Sequence, residues 1–322
     1  MPNKNNCDNG FNASASGRIE IFDALKGIAM LLVVADHCGM PLLTVFDYFE
    51  VPAFFVISGF FFRHKDGLLI EKLKRLIVPY IIYNVAYMAA WASVGGEITL
   101  EYAVNGLMWS ANFPLWFFKA LFWTFVLAFV LTKGSRNLSM RHVAAMTAVF
   151  VAAGVGLTLI GIPGKALFLG LAQAVAVLPL FFFGACMKIT GLADRVKGWF
   201  SRRWTAMAAG VAALGICSLL WHGALGLNDA NIGNPAVFYL YTPVVFFGFY
   251  LIAIGLWKRV ADALAYVGRC SLFVFCVHAI FILYLRQIVD DEIVLFVVTA
   301  ILSILSASIA GRVPWLRRLY LV

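Results

Sequence analysis

The chain of 322 residues is poor in charge: only 13% of it is Asp, Glu, Lys or Arg, about half the roughly 25% usual in soluble domains. It has no Gly-rich phosphate loop, no HExxH helix, no DxD pair and no cluster at metal-ligand spacing. Nucleotide hydrolysis and metal catalysis therefore have no support, and no metal is expected. Six cysteines occur without a CxxC pair. Cys186, Cys270 and Cys276 fall in or beside apolar stretches, where a free thiol packs as a small apolar group. No internal repeat or low-complexity segment is seen, which counts slightly against a transporter built from repeated halves.

What is abundant is apolar surface, with 63% hydrophobic and 15% aromatic residues. Segments of about twenty apolar residues are long enough to cross a bilayer. Ten such spans are expected, near 20–37, 42–62, 76–94, 114–132, 143–161, 166–187, 204–221, 235–257, 270–287 and 293–311. Their connecting segments alternate in charge. With the N-terminus inside, cytoplasmic segments hold Arg63, Lys65, Lys72, Lys74 and Arg75, then Lys133, Arg136 and Arg141, then Lys188, Arg195, Lys197, Arg202 and Arg203, then Lys258, Arg259 and Arg269. The tail adds Arg312, Arg317 and Arg318, whereas the outer segments hold only Lys165 and Arg286. Such a bias orients spans, so the net charge of +9 is read as a topology signal and not as a nucleic-acid surface.

The expected fold is an all-α polytopic membrane bundle of about ten transmembrane helices with both termini cytoplasmic. Residues 1–17, polar and Asn/Ser-rich, are expected as a disordered tail, and 18–322 as one transmembrane domain. Lys26 interrupts the first apolar run and no A-x-A site follows, so that run is read as a retained span and not a signal peptide.

Ionisable groups inside spans mark candidate functional positions. Lys26, Asp36 and His37 lie in the first span. Lys26 and His37 are eleven positions apart, close to one helix face and roughly 16 Å apart along the axis. A histidine deep in the membrane and a cation nearer the cytoplasm suit one elongated anionic ligand. Lys26 can equally snorkel to headgroups. Asp36 points about 100° away from His37 around a helix, a poor direct partner for it. Lys72, Lys74 and Arg75 crowd the start of the third span, as positive-inside anchors or as a phosphate-binding surface. Ser58-Gly59 reads first as close helix packing; no G-x-S-x-G elbow makes Ser58 a nucleophile. Trp116 suits an interfacial belt, and Lys119 beyond it needs a partner. His278, at mid-membrane in the ninth span, is a second polar candidate whose plain reading is an interhelical hydrogen bond. The turn-rich 222–234 segment suits either hydroxyl-rich ligands or solvated turns.

Taken in order, four segments resemble the acyltransferase 3 family of integral membrane O-acyltransferases. They are Lys26 to His37, a basic-x10-His pattern; Phe54-Phe-Val-Ile-Ser-Gly-Phe60; Arg75 with Pro79-Tyr80; and Leu115-Trp116-Phe117 together with Gly268 to His278. The chain is similar to the family's membrane-only members, of the fucose 4-O-acetylase-like or surface-polysaccharide O-acetyltransferase type. One departure from the family's pattern matters: the first-span cation, usually arginine, is Lys26, which keeps the charge and loses the guanidinium fork.

The resemblance implies transfer of an acyl group, most often acetyl, from cytoplasmic acyl-CoA (acetyl-CoA or another acyl-CoA, as co-substrate) to a hydroxyl of a cell-surface or lipid-linked glycan. It implies a bacterial cytoplasmic (inner) membrane location among membrane lipids, and no nucleic-acid partner. His37 is then the catalytic residue, as general base or as transient acyl carrier. Lys26, Lys72, Lys74 and Arg75 are candidates for binding acyl-CoA, and Asp36, Ser58, Trp116 and His278 for substrate contact. A polysaccharide or lipid-linked sugar transporter is the alternative, and a sensor without turnover a third reading.

Overall fold

The computed structural model describes residues 6–109, 112–133, 139–160, 170–200, 202–220, 223 and 225–314. Lys165, His222 and the tail beyond residue 314 lie outside them. Among the described residues the protein is all-helical, with no named strand.

Helix α1 (Asn6–His37) leads to α2 (Pro52–Phe60), α3 (Leu68–Lys72), α4 (Val78–Ser93) and α5 (Leu100–Trp109). Then come α6 (Trp116–Leu131), α7 (Met140–Ile160), α8 (Leu171–Thr190), α9 (Leu192–Trp199) and α10 (Arg203–Leu220). The chain continues through α11 (Pro235–Gly255), α12 (Lys258–Leu285) and α13 (Glu292–Ala310). Among the described residues, eight helical runs are long and apolar enough to cross a membrane, from Leu68–Ser93 through Glu292–Ala310, and each falls on an expected span. With α1 and α2 packed among them, the protein is a multi-pass membrane bundle of about ten passes.

Two segments differ from expectation. The span expected at 42–62 is only the nine-residue α2, approached through turns over 44–51. Pro52 sits in its first turn, where its missing N–H costs nothing and its fixed φ starts the helix. Nine residues rise about 13 Å, under half of a ~30 Å hydrocarbon core. The loop expected at 257–269 is instead the first turns of α12.

Helices α3 and α4 form one run joined by a π-helical turn, Leu73–Ile77. Pro79 has no N–H for the carbonyl of Arg75 four residues back, and the helix widens there.

Close backbone approach sets the two contacts that matter most for the site. A Cβ on Gly27 would stand 2.0 Å from the Leu264 carbonyl oxygen, and one on Gly268 would stand 1.8 Å from that of Asp23. Small residues permit such contact between membrane helices, and α1 packs most extensively on α12. On the other side, a Cβ on Gly59 would meet the Phe181 carbonyl at 1.7 Å and one on Gly184 that of Val56 at 1.9 Å. This seats α2 on α8, the close packing expected of Ser58-Gly59. Between these contacts lies a phenylalanine-rich core including Phe22, Phe49, Phe55, Phe118, Phe181 and Phe182, all fully buried.

Candidate active site

Helices α1 and α12 run parallel from the Gly27–Gly268 contact. Ten residues on from each glycine stands a histidine, His37 and His278. Equal rise brings the two rings to the same level: His37 Nδ1 is 2.9 Å from His278 Nε2, with the ring centroids 5.1 Å apart and nearly parallel.

The proton positions follow from the next bond. His278 Nδ1 lies 3.0 Å from the Val274 carbonyl, which only accepts, so Nδ1 carries the proton. In neutral His278, Nε2 is then an acceptor, and His37 Nδ1–H donates to it. The unprotonated Nε2 of His37 is left with its lone pair. A ring whose tautomer is set by a buried partner is what a general base or nucleophile needs. His278 is fully buried, and Phe275 and Phe113 close edge-on against His278 and His37.

Two cavities flank this pair. A basic cavity of about 220 Å³ is lined by Lys26, Ser58, Lys72, Arg75 and a phenylalanine wall. An acidic cavity of about 290 Å³ is lined by His37, Asp36, Asp47, Glu50, Trp116, Leu225 and Leu227 among others. Phe275 borders both and is stacked on Phe117 at 5.0 Å. The structure thus distributes the sequence candidates. Lys26, Lys72, Arg75 and Ser58 share one cavity. His37, Asp36 and Trp116 share the other. His278 lies behind His37 and lines neither. Lys74 is exposed and outside both: Lys72 and Arg75, three residues apart, share a helix face that Lys74 does not.

Local interactions hold the cations in place. Lys26 pairs with Asp23 at 2.6 Å, one turn back on α1. Lys72 lies over the Phe125 ring at 4.2 Å. Arg75 is 3.7 Å from Glu71, which also holds Lys65 at 2.6 Å. Lys119 finds its partner in the Met108 carbonyl, with the Tyr80 ring 5.1 Å away.

The structure also brings in residues not singled out from the sequence. Asn112 donates to the Cys276 carbonyl and takes Asn84 Oδ1 on its backbone N–H, both at 3.0 Å; Asn84 in turn donates to the Tyr80 carbonyl at 2.8 Å. This chain fixes the Phe113–Leu115 turn, and with it Trp116, beside His37. Asn84, a lone amide within an apolar span, was the available sign. Asp47 and Glu50 enter from the turns before α2. Two carboxylates inside a stretch read as a span were the sign there. The turn-rich 222–234 segment meets the cavity through Leu225 and Leu227, and Asp47 accepts a backbone hydrogen bond from Leu225. Tyr48 donates to the Gly223 carbonyl at 3.1 Å.

Neither the curated proteins nor the solved structures compared with the chain match it. A family model described as an acyltransferase domain matches residues 19–312, which take in both cavities and both histidines, and the chain belongs to this acyltransferase family.

Proposed function

We propose that this membrane acyltransferase moves an acyl group, acetyl first, from cytoplasmic acyl-CoA to a hydroxyl of a cell-surface or lipid-linked glycan. The observation that carries the reading is the His37–His278 pair. It leaves His37 Nε2 as a proton acceptor in a cavity that adjoins a second, cationic one across Phe275.

Lys72 and Arg75 suit the phosphates of the CoA head, and Lys26 suits a phosphate or a carbonyl of the pantetheine arm. The basic cavity is smaller than the roughly 300–1,000 Å³ of common small-molecule sites. It has room for the arm, with the nucleotide at its mouth. The acyl thioester then reaches toward Phe275 and His37.

The acceptor hydroxyl enters from the acidic cavity. His37 Nε2 takes its proton as the oxygen attacks the thioester carbonyl. The tetrahedral intermediate collapses, the C–S bond breaks, and the CoA thiolate takes the proton back. The charge that develops on His37 is stabilised through its Nδ1–H bond to His278, so His278 acts as a positioning residue. Two separate cavities favour direct attack, with both substrates bound together, over passage through an acyl-histidine. The transporter reading has no comparable support beside the family assignment.

The test uses purified protein in liposomes with acyl-labelled acetyl-CoA. Free CoA is followed with and without a lipid-linked glycan extract. The reading expects acceptor-dependent release that His37→Ala removes. Release without acceptor, with label retained on the protein, assigns the acyl-histidine route. No turnover of acetyl-CoA or succinyl-CoA overturns the reading in favour of a transporter.

A further inference from the structure

The acidic cavity holds more carboxyl groups than acyl transfer requires. Asp36, Asp47 and Glu50 all line it beside His37, and no lysine or arginine does so among the described residues. Arg286 reaches the His37 carbonyl at 3.4 Å from outside the lining. Glu50 adds an independent observation: its Oε2 is shielded from solvent and has no hydrogen-bond partner among the described residues, although the side chain borders the cavity. A buried carboxylate oxygen without a donor is costly, and three carboxylates around one small space repel each other. A ligand that brings donors and positive charge removes both costs.

We infer that the acidic cavity selects the acceptor by charge, favouring a sugar that carries a free ammonium group beside the reacting hydroxyl and excluding an acidic sugar. That this cavity receives the acceptor rests on the function proposed above; its charge preference rests on Asp36, Asp47 and Glu50 alone. An ammonium held against carboxylates keeps its proton and is not a nucleophile, so the acyl group passes to oxygen. Trp116 supplies an apolar wall for the sugar ring.

The experiment is a calorimetric titration of the full chain in nanodiscs with three methyl glycosides, of glucosamine, glucose and glucuronic acid, repeated in the galacto series. The expected order of affinity is amino sugar, neutral sugar, acidic sugar, with ~10-fold or more between the first and last at low salt. Glu50→Gln combined with Asp47→Asn narrows that ratio to about threefold. Equal affinities, a preference for the uronide, or binding of none of the three overturns the inference. CoA release is read in the same preparation. An amino sugar that binds without raising release keeps the inference and removes the transferase reading. A uronide acylated as fast as the amino sugar removes the inference and keeps the transferase.

Discussion

His37 is defined by what its two nitrogens meet. One is committed to His278, the other is free of it, and the residue lines a cavity. His37→Ala should lower kcat for acyl transfer by roughly 10²–10⁴-fold, the usual worth of a positioned base. His278 separates position from contact. His278→Asn keeps an oxygen that can accept from His37 Nδ1, whereas His278→Leu leaves that N–H buried and the tautomer unset. The leucine variant should lose kcat by about 10²-fold or more, the asparagine variant markedly less, and neither should change KM for acyl-CoA beyond threefold; initial-rate kinetics on both checks this. Lys72→Gln and Arg75→Gln should do the reverse, raising KM for acyl-CoA about 5–10-fold with little change in kcat. Lys74→Gln, outside the cavity, should change neither.

At the scale of elements, the parallel crossing of α1 on α12 sets the register of the histidines. Gly268→Ala puts a methyl group against the Asp23 carbonyl, where no flexible side chain can give way. The helices must separate, at about 1–3 kcal/mol for overpacking, and the histidine bond stretches with them. The expected result is a lower thermal midpoint in detergent together with lost transfer. Gly156→Ala on α7, where an added Cβ meets nothing within 4 Å, should leave both unchanged. The π-helical turn before Pro79 belongs to the same scale. It widens the helix where Lys72 and Arg75 face the cavity, a placement that the cluster of cations alone does not specify.

Across the whole molecule, the two cavities meet at one ring. Phe275 borders both and packs on Phe54, Phe117 and Phe118. It separates a cation-lined space from a carboxylate-lined one. Phe275→Ala should open the passage, let water reach the thioester and raise acceptor-independent hydrolysis of acetyl-CoA, measured as CoA release, by about tenfold. Vesicles of known orientation test the arrangement further: acyl-CoA should be consumed only when supplied at the face bearing Lys72 and Arg75.

Much of this protein was legible along the chain. Runs of apolar residues of bilayer length mark helices because a backbone in lipid must satisfy its own hydrogen bonds. Eight long helices duly lie on expected spans. Lys26 and His37 stood out because an ionisable group at such depth is costly enough to need a reason. The stretch 42–62 is less helical than its apolar length suggests, because Pro52 and the polar Asp47 and Glu50 leave it turns followed by the short α2. Local sequence by itself determined the helices, their approximate limits and the presence of a polar centre in the first span. The tertiary structure alone decided that His37 meets His278, and that Lys72 and Arg75 share the basic cavity with Lys26 and Ser58. It alone drew Asp36, Asp47 and Glu50 around one space. Those outcomes depend on how closely helices far apart in the chain can approach, and glycine backbone contacts between α1 and α12 and between α2 and α8 set that distance.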